Sequence, residues 1–343
     1  MDRTINMKKI KVGVIGCGRI VVMHLNAISN IEDAELVAVS DIKIERANEV
    51  AHKYNCRAYL DYQEMIEKEK LDCVHLCLPH YLHTKVAIDC FKKGINVLSE
   101  KPMSIDYESA VNAIEFAERK KLLYGVIFQC RYNKSTVAVK KAVESKALGK
   151  LNKVVSILTW SRPDSYYLES DWKGTWDKEG GGVLIDQAIH TIDLVNYIVS
   201  SPVKNVSATI RNRGHKTVDV EDTAEGLIEY ENGTKYYFYA MNNFAIDEPI
   251  EIKMYFDNGY VKFGYTEAMI KYNSCEIIEV KEKMDHTIID NSKDYWGFMH
   301  ETQIRQFYKA VLKEEELDIS ARKVLQTHKI IFDIYDKCRG EMK

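Results

Sequence analysis

Two short runs in the sequence carry side chains that can exchange protons, one beside a proline and the other after consecutive glycines. Glu100-Lys101-Pro102 follows a run of apolar residues, and Asp186 and His190 lie four positions apart after three consecutive glycines. A lysine that is desolvated, or that lies near another cation, can act as a base, and a carboxylate can orient and charge a histidine. The pattern therefore predicts acid–base chemistry with Lys101, Asp186 and His190 as candidate catalytic residues.

Each of these motifs also has a purely structural interpretation. Lys101 could face solvent ahead of a helix that begins at Pro102, and Asp186 with His190 could form a hydrogen-bonded pair inside a largely apolar helix. Spacing alone leaves both interpretations open. The pair could also ligate a metal, but no third ligand is evident nearby in the sequence, and we predict no metal site.

A glycine loop near the start of the chain indicates a dinucleotide. Gly16 and Gly18 directly follow the apolar run 10–15, and a helix is expected to begin near Arg19 or Ile20. Glycines there let the backbone approach a pyrophosphate at the helix N-terminus. Asp41 ends the next apolar run, 23 residues after Gly18, where a carboxylate accepts hydrogen bonds from both ribose hydroxyls and repels a 2′-phosphate. We therefore predict NAD as the cofactor, with NADP less favoured.

Further polar residues follow other predicted strands. Leu78, Pro79 and His83 come after the apolar run 72–78, on the side expected to face the cofactor. Gln129 and Arg131 follow the sixth predicted strand, and His300 opens a late helix; these three are candidates for polar contacts. The irregular stretch 160–176 is rich in aromatic and cationic residues, which could form either one wall of a binding site or a packed lid.

The first 125 or so residues alternate short β-rich runs with helical patterns, which indicates βαβ units and a parallel sheet. The predicted strands are 10–15, 35–40, 56–59, 72–78, 95–98 and 123–128. The predicted helices are 19–29, 43–54, 61–69, 82–93 and 106–120. This pattern predicts a doubly wound α/β domain of the Rossmann type.

Beyond residue 130 the pattern changes to that of an α+β domain built on one large, mainly antiparallel sheet. Short alternating strands fill 203–280, with turn signals at Glu231-Asn232-Gly233 and Asp257-Asn258-Gly259. The other predicted elements are helix 133–146, strand 152–160, an irregular stretch 161–180, helix 183–200 and helices 297–313 and 320–338. We place the domain boundary between 1–128 and 129–343, with the last helix able to pack back on the first domain, and expect the chemistry in the cleft between the domains.

Composition narrows the class of protein. A net charge of −3 gives no reason to expect a nucleic acid or an anionic membrane as a partner. No apolar run reaches the roughly 18–20 residues that span a bilayer, and the N-terminus lacks the apolar core of a signal peptide. The eight cysteines include no Cys-x-x-Cys pair and are expected to be small buried hydrophobes. The cytoplasm is therefore the expected location.

Together these motifs resemble the Gfo/Idh/MocA family, named for glucose–fructose oxidoreductase and inositol dehydrogenase, over nearly the whole chain. The matching residues are 13–18, Asp41, Pro79, His83, 100–102, 180–182, Asp186 and His190. The resemblance implies an N-terminal Rossmann domain and a C-terminal domain whose open sheet builds homodimers or homotetramers. It also implies hydride transfer between nicotinamide C4 and a secondary alcohol carbon of a sugar, sugar derivative or cyclitol. An NAD-dependent glycosidase and a non-catalytic NAD-binding sensor are the alternatives.

The resemblance also implies roles for individual residues. Lys101 hydrogen-bonds the substrate oxygen, Lys101 or His190 takes the hydroxyl proton, and Asp186 holds one of them in place. Glu100 anchors the nicotinamide side of the cofactor. The expected cofactor-binding residues are Gly16, Gly18, Arg19, Ile20, Asp41, Leu78, Pro79, His83, Glu100, Lys101 and Gln129.

Overall fold

The computed structural model describes residues 9–282 and 299–342, which group into two compact units. Within the described residues, the first unit combines 9–104 with 108–127 and 300–323, and the second combines 105–107, 128–282, 299 and 324–342. Both units are therefore discontinuous in sequence. The stretch 300–323, which the sequence analysis put in the second domain, groups with the first unit.

The first unit is built on a parallel sheet of six strands in the order β3-β2-β1-β4-β5-β6. The strands are β1 (Ile10–Ile15), β2 (Ala34–Ser40), β3 (Arg57–Tyr59), β4 (Cys73–Leu76), β5 (Asn96–Ser99) and β6 (Tyr124–Val126). Such strands have helices over both faces and read as continuous apolar runs, which is why the sequence located them. The strand order is that of the Rossmann fold, as predicted.

The helices that accompany the strands belong to both units. In chain order they are α1 (Val21–Asn30), α2 (Ile44–Tyr54), α3 (Tyr62–Lys68), α4 (His83–Lys92), α5 (Tyr107–Lys120), α6 (Lys134–Glu144), α7 (Asp164–Leu168), α8 (Ile189–Val199), α9 (His300–Val311) and α10 (Ala321–Cys338). Helix α9 joins the first unit because Ile304, Phe307 and Tyr308 are buried in the same apolar cluster as β1 and α1. No helix among the described residues has the length and apolarity needed to cross a membrane.

The second unit contains a sheet of eight strands in the order β14-β13-β12-β11-β7-β10-β9-β8. The strands are β7 (Leu151–Thr159), β8 (Val203–Arg211), β9 (Thr223–Tyr230), β10 (Lys235–Met241), β11 (Glu251–Phe256), β12 (Gly259–Phe263), β13 (Glu267–Tyr272) and β14 (Ile277–Lys281). Strands β7 and β10 pair in parallel, and the other neighbours pair antiparallel. The two predicted turns join β9 to β10 and β11 to β12, so the large, mainly antiparallel sheet is confirmed.

Two segments differ from the sequence expectation. The helix expected over 183–200 begins as a π-helical turn, Leu184–Ala188, and continues as α8. The stretch expected to be irregular contains α7. The first two residues of the helix expected at 297–313 lie outside the described part of the chain, and α9 begins at His300.

Candidate active site

The turn from β1 to α1 has the geometry of a phosphate-binding loop. Gly16 has φ +95°, and a Cβ there would lie 2.2 Å from the Cys77 carbonyl oxygen, so glycine is required. A Cβ on Gly18 would meet nothing within 4 Å, which leaves open space beside the loop. Helix α1 begins with Ile20 as its N-cap and receives no side-chain cap there. This open, uncapped helix N-terminus fits the diphosphate of a dinucleotide.

Asp41 follows β2 and holds the same loop. Its two carboxylate oxygens each accept a backbone N–H at 2.8 Å, one from Cys17 and one from Lys43. Each oxygen has further lone-pair capacity, so the carboxylate can also accept the two hydroxyls of a ribose. Arg19 and Arg46 line an open groove beside the loop, and sequence analysis had not singled out Arg46. The fit to NAD thus rests on residues of this unit.

His83 bridges the loops that follow β4 and β5. Its Nδ1 lies 2.6 Å from the Pro102 carbonyl oxygen, and its Nε2 lies 2.9 Å from that of Leu78. Carbonyls only accept, so both hydrogen bonds form only in the imidazolium, whereas the neutral ring donates one. Burial lowers the pKa of His83 more than the two carbonyls raise it. The structure therefore gives this ring a loop-holding role, and its direct contact with the cofactor stays a prediction.

Glu100 is 6% exposed and both of its oxygens have protein partners. Oε1 accepts from Nε2 of His24 at 3.0 Å and from Nε2 of His300 at 3.2 Å, and Oε2 accepts the Lys101 backbone N–H at 3.2 Å. Burial raises the pKa of Glu100, but the two histidine donors outweigh it and hold that pKa well below its usual value. An anchoring role toward the nicotinamide stays a prediction. His24 was missed, and a histidine in the apolar face of α1 was its only signal.

Asp186 lies in the π-helical turn and His190 near the start of α8. Tyr166 donates its hydroxyl proton to Asp186 Oδ2 at 3.0 Å, and the Gln187 amide donates to the same oxygen. The His190 ring packs edge-on against Phe128, with 5.6 Å between ring centroids. The π turn inserts one extra residue per turn, so the spacing expected for a regular α-helix does not hold here; such turns are frequent at functional sites.

The aromatic and cationic stretch flagged in the sequence surrounds Tyr166. The Lys173 ammonium lies 3.5 Å from the Tyr166 ring centroid, and the Arg162 guanidinium lies 5.6 Å from it. Burial, with the charge of Asp186 adding to it, raises the pKa of Glu179 well above its usual value. Burial therefore favours the protonated form of Glu179, and a carboxyl with a raised pKa beside a second carboxyl is typical of acid–base sites.

A buried carboxylate holds the glycine triplet at the start of this helix. Glu221 accepts the backbone N–H groups of Gly182 at 2.8 Å and Leu184 at 3.0 Å, and the Tyr335 hydroxyl at 2.7 Å. A Cβ on Gly182 would lie 1.9 Å from the Glu221 carbonyl oxygen, so the backbones approach closely. Burial raises the pKa of Glu221 to about 7.

Two other candidates from the sequence lie in the second unit. Gln129 opens a 3₁₀ turn, Gln129–Tyr132, and is 8% exposed. Arg131 forms a buried two-point ion pair with Asp193, at 2.8 and 2.6 Å. Arg131 therefore has a structural partner within its own unit, and Gln129 as a cofactor contact stays a prediction.

The six-stranded parallel sheet, the glycine loop and the acidic residue after β2 define a dinucleotide-binding protein of the Rossmann class. Residues 10–128 match the model of the Gfo/Idh/MocA oxidoreductase family with its NAD-binding Rossmann fold, and residues 136–262 match the Gfo/Idh/MocA C-terminal domain. The chain belongs to the Gfo/Idh/MocA family of oxidoreductases, and its cofactor is NAD.

Individual relatives agree with this assignment. The chain is 30% identical to myo-inositol 2-dehydrogenase of Thermotoga maritima, over 65% of this chain and 66% of that protein. It is 30% identical to D-glucoside 3-dehydrogenase of Escherichia coli, over 68% of this chain and 70% of that protein. The WlbA dehydrogenase from Bordetella pertussis, solved with NADH and UDP-GlcNAcA, superimposes with a TM-score of 0.86 at 26% identity, covering 98% of this chain and 97% of that one.

Proposed function

We propose that this protein oxidises a secondary alcohol of a sugar or cyclitol with NAD, or catalyses the reverse reduction. The supporting observation is the position of Lys101 in the first unit. It follows β5, and β4 alone separates β5 from β1, whose loop fits the diphosphate. Ligands of such sheets bind beyond the carboxyl ends of the strands, so Lys101 belongs to the nicotinamide end of that edge.

The chemistry divides between cofactor and chain. Bound NAD supplies a hydride acceptor at C4 of its nicotinamide. Lys101 donates a hydrogen bond to the alcohol oxygen and stabilises negative charge that develops there. Lys101 or His190 takes the hydroxyl proton, and the C–H electron pair leaves as hydride, so the alcohol becomes a carbonyl. Asp186, already hydrogen-bonded by Tyr166, positions the base.

Substitution of the proposed catalytic residues tests this assignment. Lys101→Ala and His190→Ala are each expected to lower kcat by about 10²- to 10⁴-fold, the range for loss of an acid–base group. The dissociation constant for NADH, measured by fluorescence titration, should change far less than kcat in both variants, even though Lys101 is also an expected cofactor contact. Lys120→Ala, at an exposed lysine ending α5, is the matched control and should leave both unchanged. A Lys101→Ala enzyme with wild-type kcat would contradict the proposed role.

A neutral sugar or cyclitol is the proposed substrate class. Two relatives are named for inositol and a glucoside, and the sequence shows no arginine cluster of the kind that clamps phosphate. A thermal-shift panel with saturating NAD should therefore stabilise the protein with inositols or hexoses, by about 2.7 kcal/mol at 100 times Kd. NADH formation should follow for the same compounds. Response to nucleotide sugars alone, or glycoside cleavage without net NADH, would contradict this choice.

We further propose a cytoplasmic homodimer or homotetramer that pairs through the large sheet. Ile157, Tyr237 and Tyr255 lie on β7, β10 and β11, point to one face by register, and are 36–40% exposed. Exposed apolar side chains on three neighbouring strands, interspersed with charged ones on the same face, suit association between copies. Analytical ultracentrifugation should show a dimer or tetramer, and Tyr237→Lys should shift the population toward monomer. A wild-type monomer at micromolar concentration would contradict the proposal.

A further inference from the structure

A row of buried polar side chains crosses the core of the first unit. The Tyr308 hydroxyl lies 3.0 Å from His75 Nε2, His75 Nδ1 lies 2.9 Å from His24 Nδ1, and His24 Nε2 lies 3.0 Å from Glu100 Oε1. His300 reaches the same carboxylate oxygen from α9. All five side chains are buried, and both His24 and His75 are 0% exposed. Burying this many polar groups costs free energy unless each of them is hydrogen-bonded.

The chemistry of these groups allows one direction of hydrogen bonding. A carboxylate only accepts, so His24 donates from Nε2 to Glu100. A neutral imidazole carries one N–H, so His24 Nδ1 must then accept from His75 Nδ1, and His75 Nε2 must accept from the Tyr308 hydroxyl. Burial lowers the pKa of both histidines, which keeps both rings neutral. Every donor in the row therefore points toward Glu100.

The row ends at the backbone of the residue proposed to act on the substrate. Glu100 Oε2 accepts the Lys101 N–H, and the Pro102 carbonyl lies against His83. We propose that His24, His75, Glu100, His300 and Tyr308 form a positioning network that holds the Lys101 segment at the carboxyl edge of the sheet. This inference rests on the proposed role of Lys101. The network thereby acts through one backbone amide, that of Lys101, and its five side chains come from α1, β4, the loop after β5 and α9.

A divalent metal is the competing explanation for part of this cluster. The ligand-type atoms of His24, Glu100 and His300 lie within 4.8 Å of one another. A metal would need the lone pair of His24 Nε2, so His24 would donate from Nδ1 and the whole row would reverse. The three side chains are buried, whereas closed zinc sites use four ligands and three-ligand sites keep an open position. A hydrogen-bonded network therefore fits these three buried side chains better than a metal site does.

The tautomers of the two histidines provide a direct test that needs no substrate. In the full chain labelled with ¹⁵N-histidine, long-range ¹H–¹⁵N spectra should show His24 protonated at Nε2 and His75 protonated at Nδ1. Tyr308→Phe should shift the His75 Nε2 resonance and so assign it. The opposite pair of tautomers, or about one equivalent of zinc per chain by mass spectrometry, would overturn the network.

Kinetics test the positioning role separately. His24→Leu removes the donor to Glu100, and kcat should fall by about ten- to a hundredfold, because small displacements of catalytic groups have effects of that size. The dissociation constant for NADH should stay within about threefold of the wild-type value, which corresponds to less than 1 kcal/mol of binding free energy. His24→Gln keeps an N–H donor and should recover most of kcat. The matched control, Leu25→Ala, is buried in the same helix and should lower thermal stability with little effect on kcat.

The outcomes separate this inference from the proposed function. The predicted tautomers with an unchanged kcat in His24→Leu would overturn the positioning role and leave the dehydrogenase proposal intact. Equal losses of kcat in His24→Leu, His24→Gln and Leu25→Ala would mean that the network serves stability alone and would also overturn it. Failure of Lys101→Ala to affect kcat would overturn the proposed function first.

Discussion

The Asp41 carboxylate is hydrogen-bonded to the backbone of the loops around it. Its carboxylate accepts the Cys17 and Lys43 amides, so the group expected to bind ribose is already oriented by the backbone around it. Pre-orientation of this kind lowers the entropy lost on binding. Arg46 lines the groove beside the same loop, together with Cys17 and Gly18, and is a candidate partner for a 2′-phosphate once the Asp41 charge is removed.

Asp41→Asn should therefore change cofactor preference. Loss of the charge replaces hydrogen bonds to ribose worth about 1.5–3 kcal/mol by neutral ones worth about 0.5–1.5 kcal/mol, and it removes repulsion of a 2′-phosphate. The ratio of NADP to NAD affinity should rise by about tenfold or more, measured by fluorescence titration of both reduced cofactors. Glu45→Gln, which removes an exposed charge from α2, is the control and should leave the ratio unchanged. An unchanged ratio in Asp41→Asn would exclude the assigned role.

The sequence located the residues whose partners are close in the chain. Gly16, Gly18 and Asp41 follow from spacing, because only helix α1 and strand β2 lie between the glycines and the acidic residue. The environment of Glu100 did not follow, since His24 and His300 are separated from it by 76 and 200 residues. Single-sequence spacing carries no information about such contacts. A histidine in an otherwise apolar strand, His75, was a usable signal that a polar partner had to exist.

At the scale of elements, the start of the helix at 184–199 depends on the carboxylate of Glu221, in the loop that precedes β9. Glu221 accepts two amides from the residues that open this helix, as an N-terminal cap does, although it lies 37 residues away from Leu184. Negative charge at a helix N-terminus is stabilising, yet burial opposes ionisation. The raised pKa of Glu221, about 7, reflects the balance.

This balance predicts a pH dependence of stability. The pKa of Glu221 rises from 4.5 to about 7 on folding, so the folded state binds the proton more tightly. Its contribution is complete below about pH 4.5, falls as the pH rises toward about 7, and amounts to about 3 kcal/mol across that window. Urea denaturation from pH 5 to 8 should show the decline in the wild type.

The matched variants isolate the group. Glu221→Gln cannot titrate, so its free energy of unfolding should lack this component, and the wild type should lose about 3 kcal/mol relative to the variant between about pH 4.5 and 7. Glu276→Gln, at an exposed position, should retain the wild-type slope. A Glu221→Gln protein with the wild-type pH dependence would show that another group is responsible.

The sequence predicted the strands of both sheets better than it predicted the π-helical turn. All six strands of the parallel sheet were located within about two residues at either end, because buried strands give continuous apolar runs. The alternating strands β8 to β14 were recognised as a group from their period of two and their Asn-Gly turns. The π turn at 184–188 was not, since it uses the same apolar residues as an α-helix and differs only in hydrogen bonding.

At the scale of the whole molecule, the discontinuity of the first unit has a consequence for fragments. Ile304, Phe307 and Tyr308 are 0–2% exposed within the core of that unit. A fragment of residues 9–128 lacks them and should not unfold cooperatively by circular dichroism or bind NADH. The same fragment with 299–323 attached through a Gly/Ser linker should regain both properties. A cooperative, NADH-binding fragment without α9 would contradict a requirement for α9 in this core.

The same discontinuity sets an order for events during synthesis. Residue 323, which ends the first unit, is made 196 positions after residue 127. At about 5–20 residues per second, that interval lasts on the order of 10 to 40 s. Throughout that interval, α9 is missing, and the apolar residues of β1 and α1 that it packs against lack its cover. A chaperone that shields such surfaces would therefore bind the part of the first unit that is synthesised before α9.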